Sequence, residues 1–254
     1  MASRVREPNW RAWLARWDAQ QESFNPYRER RFEVMFDLVE ATLPKRFTAL
    51  DLGAGPGSLS LRLLRRFPSA RAIAVDFDPV TRHIGQGALG DVGGRLTWVD
   101  AKLGTPGWTD RLPEGRVDAA LSTTALHWLT ETELRALYRD LGRRLRRGGI
   151  FLNGDHLPWG PRSKGLSRLA DRVRRQERGK FRGRKNPWRA WWRAAEKVPA
   201  LAPDFEEQRR RAARHPHRRA LSLELHTDAL RRAGFRDIGV VWGGFEEWVL
   251  FARR

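Results

Sequence analysis

The sequence predicts an α/β fold built on a doubly wound parallel sheet. Two observations predict it. Three apolar runs each end in an acid: Thr48-Ala49-Leu50 in Asp51, Ala72-Ile73-Ala74-Val75 in Asp76, and Leu96 to Val99 in Asp100. Between and after these runs lie segments of helical period, and strands alternating with helices of this length argue a parallel sheet. Such sheets bind ligands at the carboxyl ends of their strands, where the three acids fall.

The elements follow in order. Asn9 can cap a helix whose Trp10, Trp13, Leu14 and Trp17 form an i, i+3, i+4, i+7 stripe. The stripe suits core packing, or a lid over a ligand. Asn25-Pro26 opens a second helix that carries Phe32, Met35, Phe36 and Val39 on one face and stops at Pro44. A strand from Phe47 to Leu52 leads through glycines into a helix from Gly57 to Phe67. Pro68-Ser69 turns the chain into the strand that ends at Asp76. Pro79 fits the first turn of a short helix, where its missing N–H costs little. Gly85 to Gly94 reads as a glycine-rich loop.

Strand three ends at Val99 and strand four spans Arg116 to Leu121. Glu131 to Arg147 is a helix with Leu134, Leu137, Leu141 and Leu145 on its buried face. Gly148-Gly149 ends it, and Ile150 to Leu152 begins strand five. The segment from Pro158 to Leu221 breaks the rhythm. It reads as helices interrupted at Gly179-Lys180, Pro199 and Pro216, with Pro187 starting one that contains Trp188, Trp191 and Trp192. Thr227 then caps a helix through Ala233. Arg236 to Trp242 and Phe245 to Ala252 close the chain as strands joined at Gly243-Gly244, a tight-hairpin signal. The whole is expected to be one domain: N-terminal helices (1–45), a core (46–157), a helical cap (158–221), and a final helix and hairpin (222–254).

At 254 residues the chain can bury one substantial core, and 41% hydrophobic residues exclude a wholly disordered chain. No apolar run approaches the ~20 residues that span a bilayer. The polar, basic start from Met1 to Glu7 has no apolar stretch behind it, so no signal peptide is expected. The absence of cysteine removes disulfides, thiolate metal sites and cysteine nucleophiles, and fits a cytoplasmic location. The net charge is +19, and Arg162 to Arg219 alone holds 20 Lys and Arg against 6 Asp and Glu. Such a patch is a footprint for a polyanion, or simply a solvated arginine-rich surface.

The glycine turn narrows the ligand. A dinucleotide site wants G-x-G-x-x-G, with the pyrophosphate on a helix N-terminus. Here Gly53, Gly55 and Gly57 stand at alternate positions and Asp51 precedes them, a carboxylate suited to a cation and repelling a pyrophosphate. This D-x-G-x-G-x-G spacing resembles motif I of the class I S-adenosylmethionine-dependent methyltransferases. The chain looks like their small-molecule branch, which includes the trans-aconitate and juvenile-hormone-acid methyltransferases. Ala125-Leu126-His127-Trp128 is similar to the branch's "ALHW" segment. Leu145-Arg146-Arg147-Gly148-Gly149 resembles its "L-x-P-G-G" turn, with Arg147 in place of proline.

The resemblance implies a Rossmann-like, seven-stranded sheet ending in an antiparallel hairpin, with S-adenosyl-L-methionine as cofactor. It implies that the backbone at Gly53, Gly55 and Gly57 approaches the methionine part, a closeness only glycine permits. Asp51 would orient the amino group. Asp76 would accept both ribose hydroxyls, Phe77 would lie against the adenine, and Asp100 would accept from its amine beside Ala101. Ser122 would stand near the sulfonium, and Tyr27 and Arg31 would close over the methionine carboxylate. His127 and His156 are the candidate general bases, each suited by an ordinary pKa near ~6.5. The structural alternatives are His127 packing beside Trp128, and His156 bonded to Asp155.

No histidine stands at metal-ligand spacing from neighbouring acids, so no metal is expected; nor is there a G-x-S-x-G elbow or a Walker A loop. The leading expectation is a methyltransferase acting on a small organic molecule, on oxygen. The alternative is an RNA methyltransferase whose basic cap neutralises phosphates with interleaved aromatics, Trp188 and Phe181 among them. Against it, Ser122-Thr123-Thr124-Ala125 stands where base-amine methyltransferases often carry Asn-Pro-Pro-Tyr. A third reading, a non-enzymatic binding protein, leaves the three acids without a use.

Overall fold

A computed structural model describes residues 7–23, 25, 27–160, 163–179, 186–212, 221–244 and 246–254. Seven strands form one sheet in the order β3-β2-β1-β4-β5-β7-β6. They are β1 (Thr48–Leu52), β2 (Arg71–Asp76), β3 (Leu96–Asp100), β4 (Val117–Thr123), β5 (Leu145–His156), β6 (Arg236–Gly244) and β7 (Glu247–Arg253). The first five run parallel; β7 pairs antiparallel with β5 and with β6. The strand order reverses between β1 and β4, and a crevice opens at such a switch point.

The helices are α1 (Trp10–Glu22), α2 (Arg28–Thr42), α3 (Ser58–Arg66), α4 (Pro79–Leu89), α5 (Glu131–Arg144), α6 (Lys164–Gly179), α7 (Pro187–Ala195), α8 (Ala202–Ala212) and α9 (Leu223–Arg232). Leu134, Leu137 and Leu141 of α5 and Leu230 of α9 pack with Leu50, Leu52 and Phe151 on one face of the sheet. Phe32, Met35 and Val39 of α2 and Leu63 of α3 pack with Ala49, Leu121 and Leu152 on the other. A third cluster joins Trp10 and Leu14 of α1 to Ile84 of α4, Trp191 of α7 and Phe205 of α8. The tryptophan stripe is therefore packed against α4 and the segment after β5.

Several boundaries differ from expectation. Gly85 to Gly94 is helical as far as Leu89, because Gly85 and Gly87 are close-packing positions. A Cβ on Gly85 would come within 2.4 Å of the Trp98 ring, and one on Gly87 within 2.2 Å of Trp10. Helix α5 stops at Arg144, since Leu145 is already extended (ψ 142°) and begins β5. Ser222, not Thr227, caps α9; its side chain accepts from the Leu225 N–H, while the Thr227 hydroxyl donates to the Glu224 carbonyl inside the helix. Gly243-Gly244 belongs to β6 rather than to the turn. The breaks expected at Lys180 and Pro216, and Pro26, Phe181 and Phe245, lie outside the described residues.

Candidate functional site

The carboxyl ends of β1, β2 and β3 carry Asp51, Asp76 and Asp100, the last two in register across the β2–β3 pair. Between β1 and α3 the chain turns through Gly53 and Gly55 at positive φ, 70° and 54°. A Cβ on Gly53 would stand 2.4 Å from the Ala125 Cβ, so the turn presses against the segment that follows β4. The Gly55 N–H donates to Asp76 Oδ2 at 2.6 Å, and the Asp78 N–H to Asp76 Oδ1 at 2.8 Å. Gly57, also left-handed, is the N-cap of α3.

Asp51 is buried. Its Oδ2 accepts from the Ser60 backbone N–H at 3.0 Å and from the Ser60 hydroxyl at 2.6 Å. The carboxylate thus occupies the first turn of α3, the place a dinucleotide's pyrophosphate would need. Burial pushes Asp51 up to about 7, against the two bonds from Ser60. Burial, reinforced by Asp78, pushes Asp76 up to about 6. A cationic ligand would reverse both shifts. Asp100 is held low: burial is outweighed by Arg211 and Arg82, which donate to it.

A cavity of about 720 Å³ opens beside Asp100, lined by Phe77, Ala101, Trp108, Glu207 and Arg211 among others. It offers an aromatic face, a small apolar wall and an ionised acceptor, which fits a purine carrying an amino group. The acids at the three strand ends, with Asp51 set against the first turn of α3, fit an adenosyl amino acid and oppose a dinucleotide.

After β4, Thr124 takes a left-handed turn (φ 53°) and a short helical turn, Leu126–Trp128, follows. It sets His127 against Asp155 of β5. Nδ1 lies 2.7 Å from Oδ1, and the His127 backbone N–H donates to Oδ2 at 3.1 Å. Asp155 is fully buried, whereas the His127 side chain is 24% exposed. Burial opposes the imidazolium, but the Asp155 carboxylate outweighs it and raises the His127 pKa above 6.5. The Asp155 carboxylate takes the His127 ring, and its contact with His156 is the backbone N–H at 2.8 Å. The His156 ring instead lies 3.2 Å from Glu247.

The remaining candidates fall elsewhere. Ser122 is fully buried and its hydroxyl donates to the Leu52 carbonyl at 2.8 Å, tying β4 to β1 beneath the turn. Arg31 is 2% exposed; it donates to the Gly154 carbonyl and, at 2.8 Å, to Glu247. Tyr27 is 64% exposed and sets its ring edge-on to Trp242. Closer to the glycine turn than either is a group that sequence reasoning passed over. Asp18 of α1 accepts from Arg28, from the Ser58 hydroxyl at 2.6 Å and from Arg62. Asp155 was visible in Asn153-Gly154-Asp155-His156, but its partner was not. Among the described residues no cluster of acids and histidines could hold a metal ion, and no helix is long and apolar enough to cross a membrane.

Sheet order and terminal hairpin give the chain the Rossmann-like fold seen in solved S-adenosylmethionine-dependent methyltransferases. Residues 49–149 match the family model described as a methyltransferase domain. Trans-aconitate 2-methyltransferase of Azoarcus sp. (strain BH72) is 30% identical over 136 residues, which are 53% of this chain and 49% of that protein. Malonyl-[acyl-carrier protein] O-methyltransferase of Geobacter sulfurreducens is 30% identical over 133 residues, 52% and 47% of the two chains. The chain thus spans about half the length of the curated relatives it matches. Among solved structures, an O-methyltransferase family protein from Burkholderia thailandensis superposes with a TM-score of 0.56 at 19% identity, covering 92% of this chain and 59% of that one. Human N-acetylserotonin methyltransferase superposes with a TM-score of 0.53 at 16% identity, covering 96% and 57%.

Proposed function

We propose that the protein binds S-adenosyl-L-methionine in this cleft and methylates a hydroxyl oxygen of a small organic molecule. The observation that carries the reading is the His127–Asp155 pair, which stands at the same sheet edge as the three strand-end acids and touches the glycine turn through Ala125.

Gly53, Gly55 and Asp51 would hold the amino-acid end of the cofactor, Asp76 the ribose, and Phe77, Asp100 and Ala101 the adenine. Bound there, the cofactor supplies a methyl group already activated on a sulfonium. The protein's own work is then orientation and one proton. With Nδ1–H donating to Asp155, Nε2 of His127 carries the lone pair that accepts the hydroxyl proton. Asp155 fixes the tautomer and stabilises the imidazolium that forms. His156, paired with Glu247, and the exposed Tyr27 would border the acceptor; Arg31, buried between Gly154 and Glu247, holds that edge of the sheet, and Ser122 supports the turn from below.

Incubating the protein with methyl-labelled cofactor and a metabolite extract tests this. Mass spectrometry should find a product heavier by one methyl. Label transfer confined to RNA, or to no acceptor at all, would contradict the proposal.

A further inference from the structure

The resemblance gives the adenine amine to Asp100, with Phe77 against the ring and Ala101 alongside, and the structure surrounds that carboxylate with groups from two other elements. Arg211, on α8, forks onto it: Nη1 donates to Oδ1 at 2.8 Å and Nη2 to Oδ2 at 2.9 Å. Arg82, on α4, adds a third N–H to Oδ2 at 2.9 Å. Arg211 also donates to the Phe77 carbonyl, and its Nε pairs with Glu207 at 2.8 Å. Helix α8 is tied down twice more along the same edge. Gln208 donates to Asp78 at 2.6 Å, and Asp204 lies 2.7 Å from His83 Nδ1. Arg211 and Glu207 then form a wall of the cavity that Phe77 and Ala101 line from the sheet side.

An ionised carboxylate offers about four acceptor positions. Among the described residues three are taken, two on Oδ2 and one on Oδ1. One position on Oδ1 is left, and a purine's exocyclic amine has one N–H to give it. We propose that Arg211 is a positioning residue of the cofactor site, holding Asp100 together with Arg82 so that this single acceptor faces the purine amine. Helix α8 is thereby part of the cofactor pocket, and adenine binding and docking of the segment after β5 stabilise each other. The inference rests on the cofactor reading above. A bidentate fork is needed, so lysine cannot replace Arg211.

Calorimetric titration with S-adenosylhomocysteine and with S-inosylhomocysteine, whose purine carries an acceptor in place of the amine, separates the possibilities. The wild type should prefer the adenosyl compound by at least ~10-fold, the scale of one hydrogen bond to a charged group. Arg211→Met should weaken the adenosyl compound by ~10-fold or more and shrink the preference below ~3-fold, because Asp100 is no longer aimed. Arg211→Lys, which keeps the charge, should also lose most of the preference, and thermal unfolding checks that both variants are folded. Unchanged preference in both variants would overturn the inference while leaving the cofactor reading intact. Tighter adenosyl binding by Arg211→Met would also overturn it, since the arginine would then be a competitor of adenine. A wild type that binds neither compound would remove both readings.

Discussion

His127 and Asp155 stand 28 residues apart in the chain and 2.7 Å apart in space. A carboxylate this buried keeps its charge only because His127, Arg31 and a backbone N–H outweigh its desolvation and hold its pKa low. The pair therefore acts as a unit. Replacing His127 by Asn should lower kcat at least ~100-fold with little change in cofactor affinity. Because the His127 pKa is raised and the base must be neutral, wild-type turnover should climb with pH through and above 6.5. The pair's contribution to stability runs the opposite way: it is present below the unfolded pKa and is lost as pH rises through the folded one. Near-normal kcat in the Asn variant, measured under saturating substrate, would leave positioning as the whole of catalysis. At this scale the sequence exposes what is contiguous. Asp51 with its glycines, the acids ending β2 and β3, and the histidine after β4 each follow from local order. The partnerships do not. Asp155 with His127 and Arg211 with Asp100, 111 residues apart, arise only when separate elements pack.

Among the elements, α5 shows how local chemistry fixes a boundary that a pattern leaves open. Thr130 and Glu133 form a reciprocal capping box, with the Thr130 hydroxyl accepting from the Glu133 N–H at 3.0 Å and the Glu133 carboxylate from the Thr130 N–H at 2.8 Å. Glu133 also pairs with Lys102 beside the cavity, so the cap ties α5 to the loop after β3. Replacing Thr130 by Ala should cost ~1 kcal/mol in chemical denaturation, and no loss would mean the box is not formed in solution. At the far end of α5 the Gly148-Gly149 pair resembles a helix stop, yet the helix ends at Arg144 and both glycines lie in β5. The leucine spacing continues to Leu145, but that residue turns inward from β5 rather than from the helix. Helix α4 was cut short for the opposite reason: its glycines signal close packing against Trp98 and Trp10, and composition alone cannot tell a breaker from a contact.

For the whole molecule, the alternation of strands and helices carried the parallel sheet, and the Gly243-Gly244 step carried the terminal hairpin, while the strand order came from the structure. What composition could not place was the charge. Of the segment that holds most of the +19, α8 is not merely a solvated face: Arg211 is committed to Asp100 and Glu207. The cleft is built for an adenosyl amino acid and not for a dinucleotide. Asp51 and Asp76, pushed up to about 7 and about 6, gain protons in the folded state where the unfolded chain has lost them, so the ligand-free protein loses stability as pH rises from about 4 to those values. An ammonium group favours their ionised forms. Calorimetric titration of S-adenosylhomocysteine and of NADH at pH 8 and pH 5.5 distinguishes the two. The adenosyl compound alone should bind, several-fold tighter at pH 8 and with proton release at the lower pH. Tight NADH binding with none of S-adenosylhomocysteine would contradict it.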